Sequence, residues 1–147
     1  LRLTQSLAIL EYLDETRAAG FLPADPVLRA RARALAHAVA MDIQPLCNLR
    51  VAQHAVSLGG QATMEGWMLH FITLGFQGLE PMLTGDTPFA MGETPGLADI
   101  CLLPQVYNAR RWGVDMAAFP RIAVLAARMD AIPEVAAAHP DRVRPEA

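Results

Sequence analysis

Three sets of polar residues interrupt otherwise apolar stretches of the sequence, and each could bind a ligand. Gln5 and Ser6 lie where the chain changes from an extended pattern to a helical one. The free N–H groups at a helix start, together with a hydroxyl group and a side-chain amide, suit a carboxylate ligand. The same two residues could instead serve simply as caps of that helix.

The second and third sets lie inside longer helical patterns. Gln44 and Asn48 stand on either side of Pro45 and would share one helix face. They could bind a ligand or only satisfy the carbonyl group that the proline leaves free. Asn108 and Arg111 are one turn apart near the end of another helix, where the guanidinium group could bind a substrate carboxylate through two hydrogen bonds. The alternative for Arg111 is a salt bridge, or a side chain that only extends toward water.

Other kinds of reactive site have little support in the sequence. The histidines do not have the spacing of metal ligands relative to one another or to the cysteines; the residues concerned are His37, His54, His70, His139, Cys47 and Cys101. Nothing in the sequence orients a cysteine–histidine nucleophile pair, and there is no glycine-rich loop of the phosphate-binding type. We therefore expect no metal site.

The composition indicates a helical protein that binds neither nucleic acid nor membranes. The chain has 147 residues, of which 53% are hydrophobic, and a formal net charge of -3. Alanine is abundant and favours helices, whereas nucleic-acid binding needs a basic surface. No apolar run is long enough to cross a membrane, and no secretory signal opens the sequence. The two cysteines are expected to be reduced core residues of a cytoplasmic protein.

The periodicity of the apolar residues predicts an all-α bundle. Helices are predicted from residue 5 or 6 to 16, from 26 to 58 with a bend at Pro45, from 63 to 83, from 96 to 112, from 120 to 131 and from 133 to 139. Thr4 or Ser6 could cap the first helix, and residues 1–4 look like the end of a strand. Gly75 and Gly78 are expected to allow close contact between helices.

The helix from 96 to 112 is predicted to be the buried centre of the bundle, because its first half is apolar on nearly every face. If Gly96 is the N-cap, Asp99 can reach back to the exposed N–H groups of the first turn. The positive end of the helix dipole also favours a carboxylate there. We therefore expect Asp99 to be a structural cap. The alternative is that Thr94 caps the helix and Pro95 occupies its first position.

Several segments resemble the C-terminal helical domain of the zeta class of glutathione transferases, whose best-known activity is maleylacetoacetate isomerase. The resemblance covers essentially the whole chain, in residues 3–9, 11–13, 22–26, 42–50, 97–102, 104–111, 114–115 and 138–142. The sequence Leu-Ala-Asp-Ile at 97–100 indicates only the transferase superfamily. The segment around Asn48 and the sequence Pro-Gln-Val at 104–106 narrow the resemblance to the zeta class.

The resemblance implies a division of the chain and a set of binding residues. Residues 1–20 would be the end of the last strand and the last helix of a thioredoxin-like domain, and residues 21–147 would be the helical domain. Glutathione would be the cofactor, bound at its γ-glutamyl end by Gln5 and Ser6. Further contacts with glutathione would come from Gln44, Asn48, Leu49 and Arg50. Arg111 matches the arginine proposed to hold a substrate carboxylate.

The family reaction that the resemblance implies is a cis–trans isomerisation, in which the glutathione thiolate adds to a conjugated double bond, the bond rotates and the thiolate leaves. The substrate would be maleylacetoacetate, which becomes fumarylacetoacetate in tyrosine and phenylalanine breakdown, or maleylpyruvate. The serine/cysteine motif that activates the thiol in the family has no match here, so no catalytic residue is assigned and the isolated chain is expected to be inactive. The protein is expected to form a homodimer. The alternatives are a non-catalytic helical module for interaction or dimerisation, and a glutathione transferase acting on halogenated acids.

Three features fit the family pattern less simply. Gly96 stands where the family often has threonine or serine, so the cap would depend more on Asp99. Cys47 replaces a more usual amide. Asn48 and Arg50 are two residues apart, so a regular helix would point them to different sides. Either Pro45 distorts this segment or one of the two contacts is made by the backbone.

Overall fold

The computed structural model describes residues 1–143 and shows a helical protein. Its helices are α1 (Ser6–Arg17), α2 (Pro26–His37), α3 (Leu49–Ser57), α4 (Met64–Leu79), α5 (Leu97–Arg111), α6 (Pro120–Asp130), α7 (Pro133–Ala137) and α8 (Pro140–Val143). A π-helical segment, Ala38–Ile43, continues α2, and short 3-10 turns lie at Glu80–Met82 and Met116–Ala118. Residues 1–143 contain no strand, so the all-α prediction is confirmed. Residues 1–4 have no regular secondary structure, and the strand end expected there stays a prediction. None of these helices combines the length and the apolar character needed to span a membrane.

Helix α5 forms the buried centre of the bundle, as predicted from its apolar first half. It packs against α2 and α6 and also touches the π-helical segment and α4. The side chains that it buries include Leu97, Ala98, Cys101, Leu102, Val106 and Ala109. The core around it is completed by residues such as Leu35, Ile43, Met68, Phe76 and Ile122. Helices α2, α4 and α6 are therefore arranged around this helix.

The continuous helix predicted for residues 26–58 is wrong, because the chain leaves helical geometry between α2 and α3. The hydrogen bonding first widens, so that the Gln44 N–H donates to the Val39 carbonyl at 3.0 Å, one residue further back than in an α-helix. Pro45 has no N–H with which to continue either pattern. Residues 44–47 form turns before α3 begins.

Helix α4 holds this broken segment in place. The indole Nε1–H of Trp67 donates to the carbonyl oxygen of Leu46 at 2.8 Å. Gly75 lies so close to Ile43 that an added Cβ would overlap with the Ile43 side chain. Open space surrounds the corresponding position at Gly78. The close helix contact expected at both glycines is therefore confirmed at Gly75 and wrong at Gly78.

Helix α1 is joined to the bundle by polar contacts and by the connection that follows it. The Arg33 Nε–H donates to the Glu11 carboxylate at 2.9 Å, which ties α2 to the middle of α1. The Phe21 N–H donates to the Asp14 carboxylate at 2.6 Å. The Phe21 carbonyl in turn accepts a hydrogen bond from the Leu97 N–H at 2.8 Å. The connection thus links α1 to the start of the central helix.

Candidate functional site

Asp99 organises the start of the central helix. One carboxylate oxygen accepts a hydrogen bond from the Gly96 N–H at 2.8 Å, and the other accepts one from the Ala90 N–H at 2.9 Å. Gly96 is the N-cap residue, so the alternative in which Thr94 caps the helix does not apply. Because glycine has no side chain, the cap depends on Asp99 alone. Burial raises the pKa of Asp99, and the hydrogen bonds from Gly96 and Ala90 oppose that rise.

The start of α1 has an unusual backbone geometry. Gln5 occupies the N-cap position with φ 73° and ψ 116°, and no side chain of the described residues caps the helix. Capping by Thr4 or Ser6, which the sequence left open, is therefore wrong. A positive φ at a non-glycine residue costs roughly 1–3 kcal/mol and is typical of functional sites. Within residues 1–143 the N–H groups of the first turn have no acceptor, and such a helix start favours an anionic ligand.

The break between α2 and α3 changes the arrangement expected for the second set of residues. Asn48 is the N-cap of α3, and its side-chain oxygen accepts a hydrogen bond from the Arg50 N–H at 3.0 Å. Gln44 and Asn48 therefore do not share a helix face, which corrects that expectation. The side-chain NH₂ group of Asn48 remains a donor, and Leu49 and Arg50 are exposed in the first turn of α3. Gln44 is half-buried and has no side-chain hydrogen bond within residues 1–143.

The two arginines at the end of α5 have different surroundings. Arg110 forms an ion pair with Asp130, with 3.1 Å between Nη1 and Oδ2. Arg111 is exposed, its guanidinium carbon lies 5.7 Å from the centre of the Trp112 ring, and it has no ion pair within residues 1–143. Asn108, one turn earlier, is half-buried. The salt-bridge alternative considered for Arg111 thus applies to its neighbour, and the charge of Arg111 is available to a ligand.

Two polar features near α5 were not anticipated from the sequence. The hydroxyl group of Tyr107 donates to Asp141 at 2.9 Å, and its ring meets the His139 ring edge-on at 5.4 Å. Tyr107 and His139 border a cavity of about 400 Å³ between α5 and the helices that follow it. Gln105 is 2% exposed, and its side-chain nitrogen has no partner within residues 1–143. For Gln105, the signal available in the sequence was a polar residue within an apolar helical pattern.

The two cysteines are buried residues of the core. Cys47 and Cys101 are both buried and form no disulfide, which confirms the expected reduced state. Burial raises the pKa of each thiol to about 11, so the nucleophilic thiolate is scarce at neutral pH. Within the described part of the chain, no group of three or more histidine, cysteine or acidic side chains could hold a metal ion.

The candidate binding residues lie at three places: the start of α1, the break between α2 and α3, and the end of α5. The cavities of about 230 to 800 Å³ described within residues 1–143 are lined by side chains other than these candidate residues. The binding roles therefore stay predictions for Gln5, Ser6, Gln44, Asn48, Leu49, Arg50 and Arg111.

Known proteins resemble this chain over nearly its whole length. It is 50% identical over 151 residues to the maleylacetoacetate isomerase of Rhizobium meliloti (strain 1021), covering 98% of this chain and 70% of that protein. A bacterial maleylpyruvate isomerase described as a zeta-class glutathione S-transferase superposes with a TM-score of 0.91 at 34% identity, over 99% of this chain and 71% of that structure.

A maleylacetoacetate isomerase from Anaeromyxobacter dehalogenans 2CP-1, solved with glutathione in its active site, superposes with a TM-score of 0.91 at 38% identity. This match covers 97% of this chain and 66% of that structure. No protein-family model matches the chain. The identity to the Rhizobium protein and the agreement of the helical folds lead to one conclusion: the chain belongs to the maleylacetoacetate isomerases, an enzyme family of the zeta class of glutathione transferases.

Proposed function

We propose that this protein takes part in the glutathione-dependent cis–trans isomerisation of maleylacetoacetate to fumarylacetoacetate, or of maleylpyruvate, in the cytoplasm. The observation that carries the proposal is the start of α1, where Gln5 holds a positive φ and leaves the first-turn N–H groups uncapped. A strained backbone conformation that leaves N–H donors unpaired persists only where the surrounding structure or a ligand compensates for its free-energy cost. A solved relative holds glutathione in its active site, which supports glutathione as the ligand of this helix start.

The residues at the start of α1 fit the γ-glutamyl end of glutathione. Its carboxylate matches the unpaired N–H groups and the positive end of the helix dipole. The Ser6 hydroxyl and the Gln5 amide add donors and acceptors for the same group. The remaining contacts would come from Gln44, Asn48, Leu49 and Arg50. When bound, glutathione supplies the thiolate nucleophile that makes the substrate double bond free to rotate.

Arg111 would hold a carboxylate of the keto acid. The guanidinium group of Arg111 lies over the Trp112 ring. Because this contact already restricts the side chain, less conformational entropy is lost when a carboxylate binds. Two parallel N–H groups of a guanidinium match a carboxylate geometrically. A local positive charge of this kind also attracts a dianionic substrate to a protein whose net charge is -3.

The proposed enzyme is longer than this chain. We assign residues 1–20 to the end of a thioredoxin-like domain and residues 21–147 to the helical domain, of which residues 144–147 lie outside the described part. Exposed apolar side chains such as Leu49 and Leu58 on and after α3 favour the proposed homodimer. The chain alone is expected to show no isomerase activity, because it has no match to the thiol-activating motif. Turnover of a maleyl keto acid with glutathione by residues 1–147 alone would refute this expectation.

Two substitutions in the longer enzyme test the two halves of the proposed site. Arg111→Ala is expected to raise the KM for the keto acid about tenfold, since a charge-assisted bidentate contact is lost, and to leave the KM for glutathione unchanged. Gln5→Ala is expected to do the reverse. Steady-state kinetics with each substrate varied in turn measure both effects.

Arg110→Ala is the matched control for Arg111→Ala. Because Arg110 is already paired with Asp130, its substitution should change neither KM. If Arg111→Ala and Gln5→Ala leave both KM values unchanged, the assigned roles are wrong. Preferred turnover of a halogenated acid, or no turnover of either class, would replace the isomerase by one of the two alternative functions.

A further inference from the structure

A small cavity between the loop at residues 83–90 and helix α6 lies apart from the residues assigned to the proposed reaction. Its volume is about 230 Å³, below the roughly 300–1,000 Å³ of sites for drug-sized ligands. Its apolar walls include Leu83, Phe89, Val124 and Leu125, and its polar lining includes Arg121 and Arg128. The cavity thus combines an apolar wall with two cationic groups.

Both arginines are held in position by backbone oxygens. Arg128 donates through Nη1 to the carbonyls of Thr87 at 3.2 Å and Pro88 at 2.8 Å. Arg121 donates through Nη1 to the carbonyl of Glu80 at 3.3 Å, and its stem lies alongside Gly85. These bonds use one nitrogen of each guanidinium group and leave other N–H donors available. Their fixed positions lower the entropy lost when a ligand binds.

Neither arginine has a carboxylate partner within residues 1–143. The acidic group beside them is Glu80, and its two carboxylate oxygens accept the backbone N–H groups of Arg121 at 2.8 Å and Ile122 at 3.1 Å. Glu80 therefore caps helix α6, and the amides at that helix start are not available to an anion. Asp86 belongs to the loop but does not line the cavity. The positive charge that faces the cavity thus comes from the two side chains.

We propose that this cavity binds a small organic carboxylate with an apolar body, separately from the site of the proposed reaction. The carboxylate lies between Arg121 and Arg128 and accepts hydrogen bonds from their guanidinium groups. Such charge-assisted hydrogen bonds are stronger than those between neutral groups. The apolar body contacts Phe89, Val124 and Leu125. The alternative is that the two arginines only stabilise the loop through these backbone hydrogen bonds. In that case no ligand binding is expected at the cavity.

Titration of the protein with benzoate tests the proposal, using isothermal calorimetry and NMR shifts of the loop residues. Saturable binding is expected, and it should weaken as salt is added because the contact is ionic. Benzyl alcohol has the same apolar body without the charge, and inorganic phosphate has charge without the apolar body, so both should bind at least about tenfold more weakly. Equal binding of either compound, or no saturable benzoate binding, would overturn the proposal.

Variants locate the binding. Arg121→Gln is expected to weaken benzoate binding at least about tenfold. Val124→Phe should do the same by filling the cavity while both arginines remain, so the result does not depend on the stability of the loop. Arg31→Gln, at an exposed arginine of α2, and Arg111→Gln should leave the affinity unchanged. If binding survives Arg121→Gln and Val124→Phe, or is lost in Arg111→Gln, the cavity is not the site.

Discussion

Replacing Asp99 by alanine is expected to lower the free energy of unfolding by about 3 kcal/mol, the value typical when buried donors lose their acceptor. The carboxylate accepts the N–H groups of Gly96 and Ala90, and it is 1% exposed, so water cannot replace it. The substitution therefore leaves two donors unsatisfied at the start of the central helix. Urea unfolding followed by circular dichroism measures the loss.

Asp25→Ala is the matched control for this prediction. Asp25 also accepts two backbone N–H groups, those of Val27 and Leu28, but all three residues are exposed. Water can satisfy these donors after substitution, so the expected cost is about 1 kcal/mol, as for other caps. Equal costs for the two alanine variants would show that burial of Asp99 does not matter.

The charge of Asp99 also makes stability depend on pH in a defined direction. Burial raises the pKa of Asp99 above its ordinary value of 3.8, so the folded protein keeps this proton at a pH where the unfolded chain has lost it. The stability linked to the group is therefore complete below 3.8 and decreases as the pH rises through the folded-state pKa. The difference in unfolding free energy between the native protein and Asp99→Asn should accordingly shrink from acid toward neutral pH. A difference that grows with pH would contradict the raised pKa.

Gly75→Ala is expected to lower the free energy of unfolding by about 2 kcal/mol, although alanine favours helices over glycine by about 1 kcal/mol. The new Cβ would overlap with the side chain of Ile43. Ile43 is 1% exposed and surrounded by the core, so it cannot move without disturbing its neighbours. Thermal and urea unfolding of the purified variant measure the loss.

Gly78→Ala separates helix propensity from packing, because no atom of the described part of the chain lies within contact distance of its added Cβ. This variant is expected to gain up to about 1 kcal/mol. Combining Gly75→Ala with Ile43→Ala removes the overlapping atoms, so the double variant should be more stable than the sum of the two single effects by about 1 kcal/mol or more. Additive effects would mean that Gly75 and Ile43 do not clash.

Most of the helices follow from the sequence because their signals are local. The period of the apolar residues predicted where α1, α4 and α5 lie. The apolar first half of α5 also predicted its burial, since a helix without a polar face has no stable place at the surface. Three-residue spacing was enough to identify Asp99 as a candidate cap, although the second donor, from Ala90, comes from a loop that the spacing does not reveal.

The candidate site was predicted less completely, since its residues depend on how the backbone departs from regular helix. Asn48 was expected on the face of a continuous helix, whereas it caps a new one. The positive φ of Gln5 has no signature in its residue type, because glutamine prefers negative φ. For Arg111 the sequence could not decide between a salt bridge and a free charge, because the competing acid, Asp130, is remote in sequence and pairs with Arg110.

The sequence by itself determined the all-helical class, the buried central helix and the family, because periodicity and motifs are properties of neighbouring residues. Only the tertiary structure decided where the long helix breaks, which glycine lies in a close helix contact and which arginines lack an ion pair within residues 1–143. These outcomes depend on contacts between distant segments, such as the bond from Trp67 to Leu46 and the closeness of Gly75 to Ile43. Such tertiary contacts contribute more free energy than local helix propensity does, and no pattern of neighbouring residues predicts them.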